Sequence, residues 1–383
     1  MNVKHPLALL GGLTPSEFMQ RHWQRKPLLV RQAIANFSPL VTRPELFELA
    51  AQEGVESRLV IGADEGRRAW QMKRGPFKRR AIPPLSKRDW TLLVQGVDLH
   101  HEGVADLRHQ FRFVPDARLD DVMISYASEG GGVGAHFDSY DVFLLQAKGQ
   151  RRWRIGRQKD LSLQADLPLK VLANFKPEQE FVLNPGDMLY LPPRYAHDGV
   201  ALGECMTYSI GFRAPKIGEL ARELLVRSSE SVEEMQSDAL YQDADQPSTH
   251  YPAAIPQGLT EFAKKAMAQA LKNPLSIQRA LGEWLTEPKA NVWFDDAGGR
   301  QALKGLGVRL DRRSRMMYDK HHIFLNGESW RASGDDARLM RALADAREID
   351  AAMLRSASPQ ALALLRDWCE DGWMHTTSRK VPA

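Results

Sequence analysis

The sequence predicts an α+β chain built round an antiparallel β-sandwich or barrel, with helices before and after it. Three observations carry this. From about 111 to 213, short β-forming runs are separated by Gly- and Pro-containing turns. On either side, apolar residues recur at helical spacing. Near the end, the short runs Arg315–Tyr318 and His322–Leu325 come with Asn326-Gly327, a tight hairpin turn, and helical stretches lie beyond.

Each element follows from local chemistry. Thr14 suits an N-cap, Pro15 the first helical position, and Glu17 completes a capping box. Phe18, His22 and Trp23 fall near one face of that helix. Pro27 breaks it, and Leu28-Leu29-Val30 reads as a buried strand. Residues 43 to 53 and 86 to 100 predict two further helices. Strands are expected over Asp121–Ala127, Val142–Ala147, Arg151–Gly156, Glu180–Leu183, Met188–Leu191 and Met206–Phe212. Many short strands with such punctuation favour a sandwich or barrel. After Ala214-Pro215, helices are expected over Ile217–Ser228, Leu259–Asn273 and Pro274–Leu285, with a polar loop from Gln242 to Pro252. Arg315–Tyr318 and His322–Leu325 read as strands. Helices over Asp335–Ala344, Asp350–Leu354 and Pro359–Gly372 follow, and a few helices beside a hairpin suit a winged-helix unit.

Within the β-rich region, one stretch runs from Gly130 through Gly134 to His136-Phe137-Asp138. A second runs from Asn184-Pro185-Gly186-Asp187 to Pro192-Pro193-Arg194-Tyr195-Ala196-His197. In a strand, residues two apart share a face, so His136 and Asp138 can aim an imidazole and a carboxylate at one point. His197 from a distant strand would complete a two-histidine, one-carboxylate triad. That set leaves coordination positions open and marks non-haem Fe(II) oxygenases. The glycines before His136 let backbone approach a ligand closely. The Pro185–Asp187 turn starts the strand Met188–Leu191 and Pro192-Pro193 ends it, which puts His197 on a rim. The jelly roll, or cupin, is the barrel that gathers ligands from well-separated strands. Either histidine alone is more simply an ordinary, partly buried one.

Composition narrows the rest. The chain has 383 residues, room for two or three domains, and 43% apolar content allows a sizeable core. No apolar run approaches membrane-spanning length, and the first dozen residues are too short a signal for secretion. Cys205 and Cys369 alone support neither a disulfide framework nor a cysteine zinc site. A cytoplasmic, reducing setting is expected. Net charge is +4 but unevenly spread. Lys73, Arg74, Lys78, Arg79, Arg80, Lys87 and Arg88 crowd one segment, and Arg309, Arg312, Arg313 and Arg315 another. Glu230, Glu233, Glu234, Asp238, Asp243 and Asp245 form an acidic group. Such clusters are usually solvated faces, though basic ones can attract phosphate.

The combined pattern resembles the JmjC family of Fe(II)- and 2-oxoglutarate-dependent oxygenases. More closely it is similar to the bacterial ribosomal oxygenases that hydroxylate an arginine of a large-subunit ribosomal protein. The residues carrying this are Trp23–Leu28, Asp120–Ser125, Gly130–Asp138, Tyr140–Phe143, Arg151–Arg154, Asn184–His197 and Tyr208–Pro215. The resemblance is strong over about the first 215 residues. It implies a JmjC jelly-roll (double-stranded β-helix) domain over 1–214, a helical dimerisation region over 215–290 and a winged-helix-like unit over 291–383. It implies Fe(II) on His136, Asp138 and His197, with 2-oxoglutarate and O2 as cosubstrates. Arginine suits the distal carboxylate of 2-oxoglutarate, because its planar fork binds a carboxylate bidentately. Alternation puts Arg151 with Trp153 on one strand face and Arg152 with Arg154 on the other. The family position favours Arg151, with Ser125 as a hydroxyl partner. Ser209 is undecided, and Cys205 reads as a small core residue.

The expected partners are a large-subunit ribosomal protein and a second copy of this chain. No membrane is expected, and nucleic-acid contact is not specifically predicted. Asp120, Asp121, Asp141 and Asp198 are the acids near the motif that could receive a substrate guanidinium. His100-His101 and His321-His322 lack a matched acid and read as solvated or capping residues. Rival readings are the same chemistry on another protein or a small molecule, lysine demethylation included, or a nucleic-acid-binding regulator with a sensing cupin.

Overall fold

In the computed structural model, which describes residues 2–62, 70–233, 239–244, 247–248, 250, 252–271, 274–295, 303 and 305–377, helix α1 (Pro15–Arg21) opens on a reciprocal cap. The Glu17 N–H donates to the Thr14 hydroxyl at 3.1 Å, and the Thr14 N–H donates to the Glu17 carboxylate at 2.9 Å. Two of the helix's orphan donors are thereby satisfied. The helix stops at Arg21, before Pro27 is reached. Trp23 lies past its end yet packs edge-on to Phe18. A second box, Thr42 with Glu45, opens α2 (Arg43–Leu49), which ends short of the expected 53.

The chain divides into two compact units, Met1–Ala214 and Pro215–Ala383. In the first, the strands are β1 (Leu28–Val30), β2 (Ser57–Ile61), β3 (Gln71–Arg74), β4 (Trp90–Val94), β5 (Leu119–Ala127), β6 (Val142–Gly156), β7 (Gln179–Leu183), β8 (Met188–Leu191) and β9 (Ala196–Phe212). They pair antiparallel in the order β1-β8-β6-β9-β5-β4-β2-β3, with β7 also on β6. Helix α3 (Glu102–His109) precedes β5 and was not foreseen. Nor was the helix expected over 86–100 formed: that stretch holds β4 and a 3-10 turn at Val97–Leu99. Every residue of β4 is buried, because the strand runs between β2 and β5. A short run buried on both faces carries no alternation to tell it from a helix.

The two strands expected at 142–147 and 151–156 are one strand, and β9 begins ten residues earlier than Met206. These long strands pair along their length, with register shifts between Gln146, Lys148 and Gln150. The shifts change which side chains face inward. Val142 and Leu144 share an apolar cluster with Trp153 and Ile155, so the inward set passes from even to odd positions. The bulge therefore turns Arg151 inside. Gly149 sits in it at φ 61°, where a Cβ would run into the Glu204 carbonyl. On the opposite face, Phe143 packs with Phe18, Tyr190 and Phe212 in the core shared with the N-terminal helices.

The second unit begins with α4 (Ile217–Glu233), α5 (Gln257–Ala270) and α6 (Pro274–Thr286). Strand β10 (Gly307–Leu310) follows, then β11 (Met316–Tyr318), β12 (His322–Leu325) and β13 (Glu328–Arg331). Asn326 and Gly327 turn the β12–β13 hairpin with φ 50° and 93°, the left-handed pair a two-residue turn demands. Ser329 donates to Glu283 and the Gly327 N–H donates to Thr286, which ties α6 to the hairpin. Helix α7 (Gly334–Ala346), β14 (Glu348–Ile349), α8 (Ala351–Leu354), α9 (Pro359–Glu370) and β15 (Met374–Thr377) complete the unit. The sheets are β14-β10-β15 and β11-β12-β13. Of the expected acidic group, Glu234, Asp238 and Asp245 lie outside the described residues, as does Asn273. Among the described residues, no helix is long and apolar enough to cross a membrane.

Candidate metal centre

His136 and His197 face each other across an isolated antiparallel bridge, with N–H to carbonyl distances of 2.9 and 2.8 Å. His197 is the second residue of β9, while Asp138 lies in the loop just past the bridge rather than in a strand. The Arg194 N–H donates to the Asp138 carbonyl at 2.7 Å and holds that loop closed. Arg194 pays for this with a left-handed φ of 62°, an uncommon conformation for a non-glycine residue. The glycines before His136 bring chains together rather than admitting a ligand. A Cβ on Gly132 would lie 2.6 Å from the Gly199 carbonyl, and one on Gly131 would strike the Trp90 carbonyl.

The ligand-type atoms of His136, Asp138 and His197 all lie within 4.8 Å of one another. The imidazole centroids are 4.2 Å apart, and His197 Nε2 is 3.7 Å from Asp138 Oδ2. A carbonyl can only accept. His136 Nδ1–H must therefore donate to the Gly134 carbonyl, and His197 Nδ1–H to the Tyr195 carbonyl, each at 2.9 Å. Both Nε2 lone pairs are left to point into the gap, the outer-sphere arrangement usual for metal-binding histidines. Burial, then the charge of His136, pushes His197 down to about 4, so it is neutral and able to coordinate at pH 7. A 3.7 Å separation is longer than a hydrogen bond. It is close to the roughly 3 Å between adjacent ligands that bonds of about 2.1 Å to one ion would give. The donor set fits one divalent ion on three ligands, with its remaining positions open.

Arg151 lies further along the same inward face, 4% exposed. Its Nη1 and Nη2 reach only the Gly199 carbonyl at 3.4 Å and Cys205 Sγ at 3.5 Å, and its Nε finds no acceptor among the described residues. A buried, underpaired guanidinium calls for an anion. Trp153, packed over Gly199, neighbours both groups: its ring centroid lies 5.6 Å from the Arg151 guanidinium carbon and 5.8 Å from the His197 ring centroid.

The comparisons agree with this geometry. Residues 106–220 match a JmjC domain model and residues 267–375 a ROXA-like winged helix. The chain is 37% identical over 278 residues to the ribosomal protein uL16 3-hydroxylase of Escherichia coli, covering 71% of each chain. It is 28% identical to a probable ribosomal oxygenase of Haemophilus influenzae, over 94% of this chain and 96% of that one. The ribosomal oxygenase YcfD of Escherichia coli, solved with cobalt and 2-oxoglutarate, superposes with a TM-score of 0.80 at 30% identity, covering 96% and 99% of the two chains. This chain belongs to the JmjC-domain ribosomal oxygenases. It is a 2-oxoglutarate-dependent dioxygenase that uses Fe(II) and O2.

Other expected site residues of the oxygenase fall variously. Ser125 on β5 is buried and donates to the Thr207 carbonyl at 3.3 Å. It pairs in register with Thr207, and two positions along Ala127 clusters with Cys205 and Ala201, so Ser125 shares the inward face. Cys205 is fully buried, as a small core residue should be.

The four acids considered for substrate are engaged by the chain itself. Asp141 is fully buried, accepting from Tyr190 at 2.6 Å, Gln24 at 3.1 Å and Arg118 at 3.3 Å. Asp198 is held by Arg154 at 2.6 Å and Asp121 by Gln95 at 2.9 Å. Asp120 faces Arg213 at 3.5 Å and is the more exposed side chain of that pair. Asp141 and Asp198 are thus structural acids, since a buried carboxylate already paired with an arginine has little left for a substrate. His322, expected to lack an acid, is buried against Asp319 at 3.3 Å, whereas His101 does cap α3.

Proposed function

We propose that this oxygenase hydroxylates an arginyl residue of a large-subunit ribosomal protein, with Fe(II) held by His136, Asp138 and His197. The convergence of those three side chains within 4.8 Å, with both histidine Nδ1 atoms tied to carbonyls, carries the reading. The relative that is 37% identical bears the name of a uL16 3-hydroxylase, which supports the class of substrate. With 2-oxoglutarate and dioxygen bound, the iron supplies oxidative decarboxylation to succinate and carbon dioxide and insertion of one oxygen atom into a C–H bond.

The chain's own residues supply the geometry. His197 stays neutral, and both histidines are fixed in one tautomer by the carbonyls their Nδ1 atoms meet. Asp138 contributes the carboxylate of the triad, its loop held by the Arg194 N–H on the Asp138 carbonyl. Arg151 takes the distal carboxylate of 2-oxoglutarate through its unsatisfied donors, and Ser125 stands on the same face as a weaker partner. Trp153 and Ile155 keep water from this inner end, which strengthens the charged pair. The exposed apolar residues of α4 and α5, Ile217, Val226 and Met267 among them, serve a symmetric dimer.

The test is product analysis on candidate ribosomal proteins. One peptide should gain a single oxygen atom, with matching succinate release, and Asp138→Ala should lose both while keeping its melting temperature. Full turnover in that variant would remove Asp138 from the site. Equal hydroxylation of a peptide with lysine in place of arginine would remove guanidinium recognition, because an ammonium cannot reproduce the planar fork.

A further inference from the structure

Residues 71–88 contain seven Lys and Arg and no Asp or Glu, whereas the whole chain carries only +4. The remainder is therefore net negative, by 3 charges. The fold lays this segment on one surface. β3 is an edge strand of the large sheet, with Lys73 and Arg74 exposed and Arg74 directly opposite Arg58 of β2. The 3-10 turn at Arg79–Ala81 then exposes Lys78, Arg79 and Arg80. Arg43 of α2 joins them, since the guanidinium carbons of Arg79 and Arg43 lie 4.8 and 6.0 Å from the Phe47 ring centroid.

Like charges opposite each other in a sheet are destabilising, and of this pair Arg58 is partly offset by Glu56 at 3.9 Å. Arg88 pairs with Glu129 at 3.4 Å. Among the described residues, Lys73, Arg74, Lys78 and Arg80 have no carboxylate in ion-pair range. The surface also borders the metal centre. β3 follows Trp70, whose ring lies 3.0 Å from where a Cβ on Gly134 would stand, two residues before His136. Arg88 lies 3.7 Å from the same point on Gly130, at the start of that loop.

Unpaired cations without interspersed acids suit a phosphate backbone. A free ribosomal protein, itself basic, would be repelled by them. A membrane surface would want apolar residues beside the charges, but Phe77 and Ile82 of this segment are turned into the core. Building on the reading of the substrate as a ribosomal protein, we propose that the β3 surface binds RNA, so that the oxygenase engages its substrate as a ribonucleoprotein.

The experiment measures binding of the full chain to a fluorescent single-stranded RNA of about 20 nucleotides by anisotropy, across a salt series. With about four phosphates neutralised, log K should fall against log salt with a slope near −3, about fifty-fold weaker at 200 than at 50 mM. The variant K73E/R74E/K78E/R80E should bind at least tenfold more weakly with a flattened slope, and so should the milder K73Q/R74Q/K78Q/R80Q. Both should turn over an isolated peptide substrate as the parent does, which also reports an intact fold. Parent-like RNA binding in both variants overturns the proposal. So does stronger parent binding to poly-glutamate or to phosphatidylserine vesicles than to RNA at equal charge. Loss of peptide hydroxylation with RNA binding intact would instead strike the substrate reading, so the two fail separately.

Discussion

Replacing Arg151 with methionine should move two measurements in opposite directions. Arg151 is a buried cation whose two nearest acceptors in the chain lie at 3.4 and 3.5 Å and whose Nε has none among the described residues. Its desolvation is barely compensated. Methionine fills a similar volume without a charge, and such exchanges are neutral or stabilising by about 1 to 4 kcal/mol. The melting temperature of Arg151→Met without 2-oxoglutarate should therefore hold or rise. With 2-oxoglutarate the balance reverses, because its distal carboxylate would be buried without a counter-ion. Breaking such a pair costs about 3 to 5 kcal/mol, or roughly a hundred- to several-thousand-fold in apparent affinity. Calorimetric titration with 2-oxoglutarate beside a melting curve of the free protein reads both. If Arg151→Met melts lower and binds 2-oxoglutarate as before, Arg151 is a packing residue, and the carboxylate is bound elsewhere.

Three further outcomes follow from the same geometry. Gly149→Ala forces a Cβ onto the Glu204 carbonyl at a left-handed φ, so it should cost about 1 to 3 kcal/mol and weaken 2-oxoglutarate binding by disturbing the bulge that aims Arg151; an unchanged affinity in a folded variant would separate the two. In the second unit, burial alone would raise Asp311, but hydrogen bonds from Arg313 and His375 outweigh it and hold the carboxyl at about 2, below its ordinary 3.8. A depressed carboxyl pKa gives stability that is complete above the unfolded value and is lost as pH falls through the folded one. Asp311→Asn should accordingly melt lower at pH 7 by about 2 kcal/mol, and the gap should close between pH 4 and pH 2; a gap constant with pH would contradict this. Ile217, Val226 and Met267 are 90%, 62% and 53% exposed, so light scattering should give a dimer at micromolar concentration, and a monomer mass would leave those faces unexplained.

Much of this oxygenase could be read from local chemistry. The reciprocal cap at Thr14 and Glu17, the strand between Pro185 and Pro192, and the Asn326-Gly327 turn depend on neighbours a few residues apart, and they formed where the sequence placed them. The jelly-roll class and the winged helix followed from the rhythm of such pieces. His136, Asp138 and His197 stood out because their spacing and flanking turns are written along the chain. What the sequence left open depended on contacts between distant strands. β4 looked helical because burial on both faces erases alternation, and only its seat between β2 and β5 makes it a strand. Asp141 looked available to a substrate until Arg118 and Tyr190 were brought to it by the fold. The inward turn of Arg151 was undecidable from alternation, since the bulged register between Gln146 and Gln150 reverses every face beyond it. That bulge exists because β6 and β9 must stay paired on both sides of a bend, a constraint that acts between strands and leaves only a glycine as its trace.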